Sequence, residues 1–165
     1  MTEHAQIRLL APGELERLAE IENAADALFI EPLGPEPWAP ARERTDAVGF
    51  ILVAVAESGD IIGFAHVIEL AEIAHLEQLS VAPDHGRRGH GRALLTAATA
   101  EARRRGYPRM TLRTFADIPW NGPFYIDAGF VETEPATAFH ETLVQTEREM
   151  GLDQHGRRIQ MTLTL

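Results

Sequence analysis

At 165 residues, with 45% hydrophobic and 24% charged residues, the chain has the composition of a globular protein able to bury a core, and it is expected to form a single domain over residues 1–165. A formal net charge of -10 argues against nucleic acid as a partner, and the lack of any apolar run near the ~18 residues that span a bilayer argues against a membrane partner. Cysteine is absent, which excludes a disulfide framework, an acyl-cysteine intermediate and a thiolate metal site. Lysine is absent too, so all 15 basic residues are arginines and no side-chain amine exists for a Schiff base.

The N-terminus, Met1-Thr2-Glu3-His4, lacks the basic-then-apolar layout of a signal peptide, so the expected location is cytoplasmic. Ile7 to Leu10 predicts a first strand. Gly13 to Phe29 predicts a helix, with Leu15, Leu18, Ile21, Ala25 and Leu28 at three- and four-residue spacing. Pro32, Pro35, Pro37 and Pro40 then predict an extended or looping segment around Trp38. This segment is either a plain connector or, through Glu31, Glu36 and Trp38, a cover for a cationic substrate.

Phe50 to Glu57 and Asp60 to Leu70 predict two strands joined at Ser58-Gly59 by a tight turn. His75 to Ala82 predicts a third, running into a Gly/Arg turn and a helix from about Gly89 to Arg105, stopped by Gly106. Arg109 to Phe115 predicts a strand. A short helix follows through Phe124, Tyr125 and Ala128, ended by Gly129; then come a strand from Phe130 to Glu134, a helix from Thr137 to Met150 and a last alternating strand from Arg158 to Leu165. The expected fold is a mixed α/β sheet of six to seven strands with helices on both faces. The alternation of the last strand would permit pairing with a second subunit in a homodimer.

The stretch from Val81 to Leu95 carries the chemistry. Its glycines let backbone approach a ligand closely, the following helix starts with unpaired N–H groups, and Arg87, Arg88 and Arg92 add permanent positive charge. This makes an anion site. Gly86, Gly89 and Gly91 give G-x-x-G-x-G after several strands, the wrong spacing and context for a dinucleotide-binding fold. A triphosphate loop needs the missing lysine. A glycine-rich turn with solvated arginines is the plain alternative. Seven histidines lie scattered without metal-ligand spacing, and His85 and His90 are expected in the turn itself, so no metal is expected.

A strand, Val81-x-Pro83, the basic turn and Gly89-x-Gly91-Arg92-Ala93-Leu94-Leu95 together resemble the acetyl-CoA-binding motif of the GNAT superfamily of N-acetyltransferases. Downstream, Tyr125 to Phe130 resembles that family's Tyr-x-x-x-Gly-Phe signature. The resemblance covers residues from Phe50 to Val131, and it implies a GNAT-like acyl-CoA N-acyltransferase fold. It further implies acetyl-CoA as acetyl donor, a small-molecule or peptide amine as acceptor, and no metal. The pyrophosphate would rest on Gly86, Arg87, Arg88, Gly89, His90, Gly91 and Arg92. Backbone groups of Leu79 and Val81 would meet pantetheine and polarise the thioester carbonyl.

Two features depart from the family, one in the turn and one at Asn121. Gly86 stands where Gln or Arg is usual, and Arg87 where glycine is common. Asn121 precedes Tyr125 by four residues rather than two helical turns, with Pro123 between; it either caps the short helix or contacts the pantetheine arm.

Amine acetylation needs a neutral amine and a protonated leaving thiolate. A two-residue period places His75, Glu77, Leu79 and Val81 on one face of their strand, with Glu77 as first choice for general base, His75 second and His66 third. Tyr125 is the expected general acid, the alternative being a tyrosine packed beside Phe124 and Phe130. The expected reaction is direct attack in a ternary complex, since no cysteine can carry the acetyl group. A non-catalytic acyl-CoA sensor and an O-acetyltransferase are the competing readings. Amino acid, polyamine, aminoglycoside, peptide N-terminus and protein lysine all stay open as acceptors.

Overall fold

The two apolar runs on either side of Ser58-Gly59 become adjacent interior strands of a seven-stranded sheet. The computed structural model describes residues 4–34 and 49–165, with the backbone alone at residues 30 and 31. In chain order the elements are β1 (Gln6–Leu9), α1 (Leu15–Asp26), α2 (Ile30–Leu33), β2 (Phe50–Val55), β3 (Ile61–Glu69) and β4 (Ala74–Val81). Then follow α3 (His90–Arg104), β5 (Arg109–Phe115), α4 (Gly122–Asp127), β6 (Val131–Thr133), α5 (Ala138–Glu149) and β7 (Arg158–Thr164). The strand order is β1-β2-β3-β4-β5-β7-β6, antiparallel throughout except for the parallel pair β4-β5.

Helices cover both faces. On one, Leu94, Leu95, Ala98 and Ala102 of α3 pack on Leu52, Ala65, Leu76, Met110 and Leu112. The two alanines let the helix approach the strands closely. On the other, Leu18 and Ile21 of α1 cover Ile51, Val53 and Phe64. Phe64 is fully buried, and burial of one such side chain contributes about 2–3 kcal/mol. Helix α5 lies on the same face as α1, over β5 and β7, held by the polar contacts described below.

Three expectations change. Pro32 does not break the chain into an extended segment: it lies inside α2, whose single turn has no internal N–H at that position to lose. The remaining prolines, Glu36 and Trp38 lie outside the described residues. The last strand is not a free edge for a second subunit, because β7 inserts between β5 and β6 and leaves the three-residue β6 at the margin. His90 is not part of the turn but the buried first residue of α3.

Candidate active site

The site begins with one extra residue. Between the pairs Val67↔Leu76 and His66↔Gln78 the register of β3 and β4 slips, leaving Glu77 as the bulged residue of β4. A bulge bends its strand and increases its twist. On the other side of β4 the pairing with β5 holds for Ala74↔Met110, His75↔Thr111 and Leu76↔Leu112, and ends there. From Glu77 onward the two parallel strands diverge, opening a cleft between the end of β4 and Arg113–Phe115.

The bulge also corrects the expected facing. Ala74 and Leu76 belong to the core under α3, and so do Leu79 and Val81 beyond the bulge; an unbroken period of two forbids that. His75 and Glu77 point to the opposite face, where Glu77 Oε2 lies 3.3 Å from His66 Nδ1. His75 and Glu77 therefore share a face with each other but not with Leu79 and Val81. The backbone of Leu79 and Val81 keeps its expected place. Ala82 N–H is donated to Ile62 O, so by alternation the main-chain groups of Leu79 and Val81 turn to the edge that β5 has left.

At the end of β4 the chain makes a short turn through Pro83–His85 and enters α3. Gly86 adopts an extended conformation and donates its own N–H to Pro83 O, so it shapes the turn rather than offering a donor. Arg87 has φ 59 and Gly89 φ 86, both left-handed. Glycine is common at the position of Arg87 for a steric reason: an L side chain there costs about 1–2 kcal/mol. The arginine keeps the shape of the turn at that cost. Such a turn directs successive N–H groups into a concavity suited to anions. No side chain caps α3, whose first internal bond is Ala93 N–H to Gly89 O, so Gly91 and Arg92 present N–H groups with no helical partner. Arg87, Arg88 and Arg92 are exposed around it.

Helix α4 abuts this turn. A Cβ on Gly91 would stand 3.8 Å from Val81 Cγ2 and 4.0 Å from Phe124 Cζ, so the end of β4, the start of α3 and α4 meet at one point. A Cβ on Gly122 would come within 2.4 Å of Ala116 O, so only glycine lets α4 start this close to the end of β5. Asn121 does not cap α4 with its side chain. Its Oδ1 accepts from Thr114 Oγ1 at 2.8 Å and from the Phe115 N–H at 3.3 Å, bracing β5 where β4 has moved away.

Tyr125 is buried, with its ring edge-on to Phe124 at 5.1 Å and to Phe130 at 5.7 Å. The Tyr-x-x-x-Gly-Phe spacing has its own local logic. Gly129 at φ 98 donates to Ile126 O, and Phe130 N–H to Tyr125 O, which is a Schellman stop with Tyr125 and Phe130 as its hydrophobic pair. Core packing thus accounts for the ring. It leaves the hydroxyl unaccounted for, since that oxygen has no hydrogen-bond partner among the described residues. Burial pushes the phenol far above its ordinary value, opposed only by the charge of Arg158.

His75 belongs to a buried chain that sequence reasoning missed. Its Nδ1 lies 2.8 Å from Thr111 Oγ1, which lies 3.0 Å from His140 Nε2; His140 Nδ1 in turn lies 2.7 Å from Thr137 Oγ1. Thr137 also accepts the backbone N–H of His140, so the N-cap of α5 is the far end of the chain. Thr137 and His140 at capping spacing were legible; their link to His75 through Thr111 was not. Burial, then the neighbouring His140, hold His75 down to about 4, partly opposed by Glu77. A neutral imidazole so reluctant to take a proton, and packed edge-on against Phe139 at 5.1 Å, positions the strand beside it.

Also missed was an ion triad on the same face. Glu147 of α5 accepts from Arg113 Nε at 2.7 Å and from Arg158 Nε at 2.9 Å, with all three side chains 8 to 14% exposed. Burial pushes the Glu147 carboxyl up, but the two guanidiniums outweigh it and hold it below its ordinary value. Arg158 lies over the Phe115 ring at 4.6 Å, at the cleft end of β5. A shallow pocket of about 190 Å³ lined by Arg92, Leu95, Phe130 and Leu163 lies elsewhere, beside α3, and contains neither Glu77 nor Tyr125.

Residues 15–130 match the model of the Acetyltransferase (GNAT) family. Among solved structures, the ribosomal-protein-S18-alanine N-acetyltransferase of Escherichia coli is 23% identical with a TM-score of 0.69, over 97% of this chain and 93% of that one. The PaiA N-acetyltransferase of Thermoplasma acidophilum, solved in complex with coenzyme A, is 18% identical with a TM-score of 0.75, over 98% of this chain and 99% of that one. Nourseothricin acetyltransferase is 22% identical with a TM-score of 0.65, over 97% of this chain and 98% of that one. At such identities the likeness is one of fold, the GNAT acyl-CoA N-acyltransferase fold. With the family match running from α1 through the splayed strands to Phe130, the chain belongs to the GNAT acetyltransferase family.

Proposed function

We propose that the protein transfers an acetyl group from acetyl-CoA to a primary amine of a small molecule or peptide, by direct attack within a ternary complex. The observation that carries this reading is the ending of β4-β5 pairing at Leu76↔Leu112, followed directly by an uncapped helix N-terminus. The chain's donor set fits acetyl-CoA. Leu79 and Val81 offer main-chain groups at the vacated edge, and the turn from Arg87 to Arg92 offers N–H groups and guanidiniums for a pyrophosphate. Acetyl-CoA supplies a thioester carbonyl open to attack and a thiol leaving group.

The remaining work falls to this chain's side chains. An alkyl amine of pKa ~10.4 costs on the order of 5 kcal/mol to deprotonate at pH 7, so a base must sit beside it. Glu77 is half-exposed at the mouth of the cleft, is turned there by its bulge, and has His66 to orient it. It accepts the proton directly or through water. A main-chain N–H of Leu79 or Val81 polarises the carbonyl. Tyr125 returns a proton to the sulfur; burial weakens it as an acid, and a thiol buried beside it would have its own pKa raised in the same sense.

The sensor reading drew on the altered turn at Gly86 and Arg87, and that turn retains the left-handed geometry a glycine would give. Thiol release from acetyl-CoA over an amine panel tests the proposal. Tyr125→Phe should keep coenzyme A affinity and lower kcat by ~10²–10⁴. Unchanged turnover removes Tyr125 from its role, and binding without any thiol release leaves a sensor.

A further inference from the structure

The proposed reaction leaves the acceptor undefined beyond its amine, and the triad Arg113–Glu147–Arg158 narrows it. Two guanidiniums share one carboxylate, so the cluster carries one net positive charge although each side chain is at least 86% buried. Burying net charge is expensive unless an anion completes the set. Both arginines approach Glu147 with the same edge, Nε and Nη2. Neither Nη1 has a hydrogen-bond partner among the described residues.

Position ties this charge to the cleft. Arg113 is the first residue of β5 beyond its last pair with β4, on the face that carries Thr111 and His75. Arg158 of β7 is paired with Phe115, two residues further along β5 on the same face, and lies over the Phe115 ring at the open end. Glu77 stands on the other bank, on the same face, bearing the opposite charge. His66 and His75 lie on the same face of the sheet and His140 packs on it, and the last two are held neutral near pH 7. The cleft is therefore polarised: one negative charge on the β4 side, one net positive on the β5-β7 side.

We infer that the acceptor is an amine that also bears a carboxylate, as an amino acid does, with its amine toward Glu77 and its carboxylate on the Nη1 groups of Arg113 and Arg158. This rests on the acetyl-transfer reading of the same cleft. The chain's net charge of -10 disfavours the approach of an anionic acceptor overall, so a local positive seat is what such a substrate needs. Guanidinium Nη donors suit carboxylate geometry, and a charge-assisted contact of this kind is a strong one.

The test uses the full chain with coenzyme A present and compares each common amino acid with its carboxamide, first by calorimetric binding and then by thiol release from acetyl-CoA. At least one amino acid should bind about tenfold or more tighter than its carboxamide, equal to ~1.4 kcal/mol. Arg113→Gln and Arg158→Gln, which each leave Glu147 paired one-to-one, should reduce that ratio to near unity. Equal or tighter binding of the carboxamides overturns the inference, as does a preference that survives both substitutions or the absence of any amino-acid binding. Acids that bind selectively without thiol release would sink the transferase reading, and with it the role of acceptor, while leaving the carboxylate seat at Arg113 and Arg158. Thiol release with amines regardless of their carboxylate would sink this inference alone.

Discussion

Acidification should unlock the face of the sheet beneath α5, and His75 sets the size of the effect. In the folded chain His75 is held from 6.5 down to about 4, first by burial and then by His140, with Arg113 adding to the shift and Glu77 and Glu147 opposing it. Between those two pH values the unfolded chain binds a proton that the folded chain refuses. Stability therefore rises with pH across this window, is complete above about 6.5, and falls as the pH drops toward 4. The shift corresponds to about 3 kcal/mol, a large share of the ~5–15 kcal/mol that holds a typical domain. The assay is urea unfolding at steps from pH 7 to pH 4, run in parallel on wild type and on His75→Gln, whose amide can bond Thr111 but cannot titrate. Carboxylates and His140 act in both proteins, so the difference between the curves isolates His75. That difference should shrink by about 3 kcal/mol toward pH 4. Parallel curves would refute the reasoning, because they would mean that protonated His75 is accommodated without opening the core.

Three further outcomes follow from the packing. Glu147→Gln leaves two buried guanidiniums without a counterion and should cost about 3–5 kcal/mol by urea midpoint, while Glu132→Gln, which breaks an exposed pair with Arg157, should leave the midpoint unchanged. Arg87→Gly trades left-handed strain of about 1–2 kcal/mol for unfolded-state entropy of about 0.5–1 kcal/mol, so the protein should melt no lower while coenzyme A binding weakens; a clear fall in Tm would contradict the strain. Gly122→Ala drives a Cβ to 2.4 Å from Ala116 O and should cost about 1–3 kcal/mol, with kcat falling because α4 and Tyr125 move with the backbone; unchanged kcat and Tm would show that the approach relaxes freely.

The sequence by itself determined whatever depends on local pattern. Apolar runs and turn residues placed every strand, and the Gly/Arg turn before it and Gly106 after it bounded α3. The Gly/Arg turn and the Tyr125 signature carried family membership because each is a local backbone device: a left-handed turn feeding a helix end, and a Schellman stop. Tertiary structure decided what depends on register and on contacts between distant segments. A two-residue alternation cannot announce that Glu77 is an extra residue, so the facing of His75 against Leu79 was read wrongly, and the same bulge marks where β4 leaves β5. Thr111 meets His140 across 29 positions, and Glu147 joins arginines 34 and 11 positions away; nothing in local spacing distinguishes them from solvated side chains. The insertion of β7 beside β5, a pairing of segments some 50 residues apart, turned a strand with an expected free edge into an interior one.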